Sequence, residues 1–118
     1  MAGRLTTHVL DTSRGIPGRS MKVELYFIES TGEAKYLASA QTNDDGRIDT
    51  PFLEGELTIG TYELRFYAGE YFESFLNETG IRSIWDVIPL RFYVASPEEH
   101  YHVPLLVAPG GYSTYRGS

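Results

Sequence analysis

Four side chains in this sequence are equipped for proton transfer or charge stabilisation: His8, Arg47, His100 and His102. An imidazole changes charge near neutral pH, so it can take and return protons under working conditions. A guanidinium keeps its charge and presents several N–H donors, which suits carbonyl groups and developing oxyanions. His8 lies in an extended run and shares a face with Thr6 and Leu10 at period two. His100 and His102 share one face of a later run. On residue types alone two readings stay open. The histidines are surface or hydrogen-bonded groups, or all three hold zinc with water as the fourth ligand. No acidic partner that would orient such ligands can be identified. A lone arginine at a strand start, such as Arg47, is usually solvated.

Other constellations fall away. Gln41-x-Asn43-x-Asp45-Gly46 begins like a calcium loop, but Phe52 stands where the bidentate glutamate is required. Ser113 or Ser118 with a histidine and Asp11 makes a triad only on paper, because no Gly-x-Ser-x-Gly elbow is present. Phosphate-loop and dinucleotide fingerprints are also missing from the sequence.

The elements that must position these residues read as short strands. Extended runs cover 5–11, 21–28, 36–42, 60–68, 87–95, 101–108 and 112–115. Met21, Val23, Leu25 and Phe27 alternate with Lys22, Glu24 and Tyr26, the pattern of a strand with one wet face. Asn43-Asp44-Asp45-Gly46 and Pro109-Gly110-Gly111 are turn signals. One helix is expected over 70–78, with Phe72, Phe75 and Leu76 on one face, Glu70 and Glu73 in its first turn and Gly80 ending it. Many short strands and one helix predict an all-β sandwich. The chain of 118 residues fits one domain, 1–118, with a real core, as 42% hydrophobic content, nine Tyr and six Phe imply.

Composition excludes several functions. With no cysteine there are neither disulfides nor thiolate metal sites. A net charge of −6 and the lack of a basic stripe argue against nucleic acid. No apolar run approaches membrane length. Residues 1–5 do not resemble a signal peptide and Tyr-Arg-Gly-Ser is not a peroxisomal address, so the expected location is cytoplasmic.

Leu5-Thr6-Thr7-His8-Val9-Leu10-Asp11 followed by Gly15-Ile16-Pro17 resembles the opening of the transthyretin-like 5-hydroxyisourate hydrolases. Asp45-Gly46-Arg47 resembles their central turn. Tyr101-His102-Val103-Pro104-Leu105-Leu106 resembles their late strand, and Tyr115-Arg116-Gly117-Ser118 the tetrapeptide that marks the enzymes. The strand–helix joint over 60–78 is also similar to transthyretin's. The resemblance spans essentially the whole chain. Transthyretin shares the fold but lacks the first-strand histidine and the Tyr-Arg-Gly-Ser end, and both are present here.

The resemblance implies a transthyretin-like β-sandwich of two four-stranded sheets with one short helix. It implies a homotetramer, a dimer of dimers with the sites in a central channel. The implied reaction is hydrolysis of 5-hydroxyisourate to 2-oxo-4-hydroxy-4-carboxy-5-ureidoimidazoline in urate degradation, with no metal and no organic cofactor. His8, Arg47, His102 and Ser118 are the implied catalytic residues, and His8, Arg47, Tyr115 and Arg116 the implied substrate-binding ones. His8 and His102 would activate water and transfer protons, in either order, and Arg47 would bind carbonyls and the oxyanion. Ser118 would position water or a histidine, with Gly117 turning the backbone so that it can. No role for His100 carries over. Three readings compete: a transthyretin-like small-ligand carrier, the three-histidine zinc hydrolase, and a structural assembly protein.

Overall fold

Alternation along the first extended run decides which side of the chain meets the core. In the computed structural model, which describes residues 2–117, β1 (Gly3–Asp11) buries Leu5, Thr7, Val9 and Asp11 and turns Thr6, His8 and Leu10 to the opposite face. The remaining strands are β2 (Ile16–Pro17), β3 (Lys22–Ile28), β4 (Ala34–Gln41), β5 (Leu53–Gly55), β6 (Gly60–Phe66), β7 (Ile88–Val94), β8 (His100–Ala108) and β9 (Gly111–Thr114). They form two sheets. One has the order β4-β3-β6-β7, all antiparallel. The other has the order β2-β1-β8-β9, with β5 also on β1, and its central pair β1–β8 is parallel. The core between them is built from fully buried side chains such as Val9, Val23, Leu25, Leu64, Phe66 and Leu105.

The expected sandwich of two sheets is present, and the β4-β3-β6-β7 sheet has the expected four strands. The sheet built on β1 and β8 has five. Leu53–Gly55 and Ile16–Pro17 are too short for alternation to reveal them, and they occupy opposite ends of one edge of β1. The gap between them is filled by the turn over 43–47, through the Val9 amide bonded to the Gly46 carbonyl at 2.8 Å and a bridge pairing His8 with Arg47. Gly46 has φ of 79° and its α-carbon lies against the Val9 carbonyl, leaving no space for a side chain.

The expected single helix is two. α1 (Ala68–Glu73) stops at Ser74, and α2 (Leu76–Thr79) restarts after Phe75 and ends at Gly80, whose φ is 69°. The break coincides with close packing of Phe75. The Phe75 ring lies 3.5 Å beneath the Arg14 guanidinium and edge-on to Tyr71 at 5.1 Å. Among the described residues no helix is long and apolar enough to cross a membrane.

Candidate functional site

The parallel register of β1 on β8 does the assembling. Thr6 lies opposite His102, Arg4 opposite His100 and His8 opposite Pro104. Partners in a parallel ladder share a face. All three histidines therefore stand on the face of this sheet that turns away from the core. Arg47 arrives on the same edge of β1, paired with His8, because the Asn43 side-chain oxygen accepts the Asp45 and Arg47 amides at 2.9 and 3.1 Å and fixes the turn.

His8 Nε2 lies 3.0 Å from the Asp45 carbonyl oxygen. A carbonyl only accepts, so this bond requires a proton on Nε2 and leaves Nδ1 as the basic nitrogen. Partial burial and the nearby Arg47 charge hold the His8 pKa below the ordinary histidine value, against the opposing pull of Asp45. His102 is lowered too, first by burial and then by Arg47, His100 and His8. Both shifts favour the neutral ring, the state a general base needs.

His102 is gripped from two sides. Its Nδ1 lies 2.8 Å from the Thr6 hydroxyl, which also reaches His100 Nε2 at 2.9 Å. On the far side the Gly117 amide donates to the His102 carbonyl at 2.8 Å, and a Cβ at Gly117 would overlap the ring. Gly117 is not among the residues with positive φ, so its role differs from the expected backbone reversal. The glycine is required for closeness to His102.

The other expected site residues lie differently. Tyr115 and Arg116 are exposed and line, with Arg91, Tyr93, Tyr101 and His102, an open cavity of about 380 Å³ on the flank between β7 and β9. The Arg116 guanidinium binds Glu99 at 2.8 Å and lies over the Tyr101 ring. No hydrogen bond joins either residue to His8 or Arg47 among the described residues. Ser118 lies outside the described residues. The zinc geometry does not form: among the described residues no three histidine or carboxylate side chains gather around a common point, and the Thr6 hydroxyl occupies the space between His100 and His102. Thr6 is the site residue that the sequence left without a role. Period-two alternation put it beside His8, but its place opposite His102 depends on a long-range register.

Comparison with known proteins follows the same lines. The model of the HIUase/Transthyretin family matches residues 5–117. The chain belongs to that family. It is 54% identical over its full length to the whole of a 5-hydroxyisourate hydrolase of Halalkalibacterium halodurans, and 50% identical to 5-hydroxyisourate hydrolase 2 of Rhizobium meliloti over 99% of this chain and 98% of that one. Among solved structures, Klebsiella pneumoniae 5-hydroxyisourate hydrolase superposes with a TM-score of 0.82 at 37% identity, covering 98% of this chain and 99% of that one. Sea bream transthyretin in complex with thyroxine gives 0.85 at 25% identity, over 97% and 94% of the two chains. An (S)-allantoin synthase gives 0.88 at 45% identity, with 99% of this chain spanning 44% of that longer one.

Proposed function

We propose that this family member is an enzyme that hydrolyses 5-hydroxyisourate to 2-oxo-4-hydroxy-4-carboxy-5-ureidoimidazoline in urate degradation. The observation that carries the reading is the convergence of His8, Arg47 and His102 on one outward sheet face, in a chain half identical over its length to proteins bearing that activity's name.

The chemistry needs water deprotonated, an oxyanion held and a leaving nitrogen protonated. Water adds to the lactam carbonyl carbon, its proton passing to a neutral imidazole. His8 Nδ1 and His102 Nε2 are the nitrogens suited to this, because the Asp45 carbonyl and the Thr6 hydroxyl occupy the others. Arg47 holds the carbonyl oxygen as negative charge builds on it. The C–N bond then breaks and the leaving nitrogen takes that proton back from the histidine, ending as N–H beside a new carboxylic acid, which ionises to the carboxylate by losing its own proton to solvent. Tyr115 and Arg116 contact the substrate or the chain end in this proposal, and Ser118 completes the site. No metal is assigned to any step.

The outward face carries Leu10 beside Leu106, both only half-buried, and β7 and β9 have free edges. Covering these by closed symmetry supports a homotetramer built as a dimer of dimers, with the histidine faces enclosed in a channel. A cysteine-free chain suits a reducing compartment, and the cytoplasm is the proposed location. The test is to generate 5-hydroxyisourate from urate and follow its decay with and without the purified protein, with and without EDTA. Accelerated decay that survives chelation is expected. Tight binding of an aromatic ligand without accelerated decay would favour the carrier reading.

A further inference from the structure

One hydroxyl between two imidazoles imposes a proton rule. Thr6 Oγ1 lies 2.9 Å from His100 Nε2 and 2.8 Å from His102 Nδ1. A hydroxyl has a single hydrogen to donate and lone pairs to accept with. The oxygen can accept from two N–H groups but can donate to only one bare nitrogen, so both contacts are hydrogen bonds only when at least one of the two facing nitrogens carries a proton. The protonation of His100 Nε2 and His102 Nδ1 is therefore linked through Thr6.

We infer that Thr6 is a positioning residue of the hydrolytic site and that, with His100, it switches His102 between a base and an acid by moving a proton along His102–Thr6–His100. In the base state His102 carries its proton on Nδ1 and donates it to Thr6, which donates to a bare His100 Nε2. His102 Nε2 then offers its lone pair. When that nitrogen takes a proton from water, the Nδ1 proton passes to Thr6 Oγ1 and the hydroxyl's own proton passes to His100 Nε2. His102 is left neutral with a proton on Nε2, and the positive charge rests on His100. Delivery of the Nε2 proton to the leaving nitrogen reverses both shifts. Each transfer moves one proton, and no other reactant is needed.

Electrostatics give the relay its use. The charged or titratable groups that act on His102 are Arg47 from the adjoining turn, His100 on its own strand and His8 on β1, with the uncharged Gly117 amide on the far side and Arg91 and Arg116 lining the cavity it borders. A charge on His102 stands close to the permanent charge of Arg47. His100 is exposed, so the same charge there is hydrated. The relay thus carries the charge away from the group that must hold the oxyanion. It also gives His100, the histidine with no other assignment, a task that works only through Thr6.

The proposal rests on the hydrolase reading, so the experiment has one arm that needs turnover and one that does not. In the first, kcat, KM and the pH profile of 5-hydroxyisourate decay are compared for the parent, Thr6→Val, Thr6→Ser, His100→Ala and the Thr6→Val/His100→Ala pair. Thr6→Val keeps the side-chain shape and removes the hydroxyl. Its kcat is expected to fall about 10-fold, short of the roughly 10²–10⁴ carried by a general acid–base group itself, with KM nearly unchanged and an altered pH profile. Thr6→Ser restores most of the loss. His100→Ala costs less than Thr6→Val, and the pair is no worse than Thr6→Val alone, as expected of groups acting in series. In the second arm, ring ¹⁵N shifts report which nitrogen of His102 is protonated and whether the His100 and His102 titrations are coupled. Coupling in the parent and in Thr6→Ser, lost in Thr6→Val, is expected. Parental kcat in Thr6→Val, multiplying losses in the pair, or uncoupled ring titrations in the parent would each overturn the relay. If the parent showed no turnover, the hydrolase reading would fall, while the ring shifts would still decide the proton linkage.

Discussion

The backbone amide of Gly117 donates to the carbonyl of His102 at 2.8 Å, and the Gly117 α-carbon lies so close to the imidazole that a methyl group there would overlap Cδ2. A residue near the chain end thereby fixes the position of a histidine fifteen places earlier, extending the ladder that β9 makes with β8. Gly117→Ala should push the His102 ring out of place while leaving the core untouched. A misplacement of about 1 Å in a reacting group costs on the order of 10²-fold in rate. The expected result is a loss of that order in kcat with a nearly parental melting temperature. Parental turnover in this variant would show that the ring position is not set by Gly117.

The three converging side chains should separate from the fold in mutagenesis. His8→Ala and His102→Ala should each lower kcat by roughly 10²–10⁴ and Arg47→Ala by roughly 10²–10³. All three residues lie on the outward face or an exposed turn, outside the core. Circular dichroism and thermal midpoints should therefore stay close to the parent. A variant that lost activity only by unfolding would remove its residue from the catalytic set.

Two depressed histidines make a directional pH prediction. The His8 and His102 pKa values lie below the ordinary value of about 6.5, with burial the largest cause and Arg47 the next. The neutral, basic form persists to lower pH, so the acid limb of kcat/KM should fall below pH 6.5. The linked stability has the matching sign: the unfolded chain takes up these protons first, so stability is full above about pH 6.5 and declines as pH falls toward the folded values. Arg47→Met removes the repulsion but not the burial. NMR titration of the ring protons should show both histidines moving upward while remaining depressed. Unchanged titrations would mean that Arg47 does not act on them at this range.

Asp11 closes the site strand at its far end and tests the scaffold rather than the chemistry. Its buried carboxylate accepts bonds from the Ser13 hydroxyl at 2.5 Å, Tyr71 at 2.8 Å and Arg14 Nε at 3.1 Å. Burial alone would raise this carboxyl, but the bonds from Ser13, Tyr71 and Arg14 outweigh it and hold the pKa below the usual range. Its contribution is present above the unfolded pKa and is lost as pH falls through the folded one. Asp11→Ala should cost about 3 kcal/mol, since it strands Arg14 and Tyr71 without their acceptor. Tyr71→Phe should cost about 1.5–3 kcal/mol, the worth of a hydrogen bond to a charged group. Denaturant melts measure both, and equal stability of Asp11→Ala and parent would contradict the network.

Much of this was legible in the sequence because it is local. Alternation located β1 and β3, the Asn43–Gly46 signal located the turn that carries Arg47, and Gly80 located the end of the helical segment. What stayed hidden is set by contacts far apart in the chain. Nothing near Thr6 announces that it will lie opposite His102, since the parallel register joins residues about a hundred positions apart. The ring of Phe75, at the helix break, packs against Arg14, likewise distant. β5 is hidden for another reason: three residues on a strand edge are too few to show a period.

The final prediction concerns residues 115–117 and the serine that follows. Terminal segments are usually expendable for stability, and Tyr115 and Arg116 bury no core: both are exposed, and Arg116 is held by Glu99 and the face of Tyr101. An exposed ion pair of this kind contributes little to stability, roughly 0–1 kcal/mol. Removing residues 115–118 should therefore lower the thermal midpoint only slightly. It deletes the Gly117 amide that holds the His102 backbone, together with Ser118, and opens the flank where His102 meets the cavity lined by Tyr115 and Arg116. Turnover should fall at least as far as in Gly117→Ala. Arg116→Ala alone separates the contributions: it loses the Glu99 pair and the Tyr101 contact but keeps Gly117 in place. A mainly KM effect is expected if Arg116 holds substrate, and no effect if it serves only the chain end. A truncated protein that melts normally and turns over at the parental rate would exclude the whole tetrapeptide from the site.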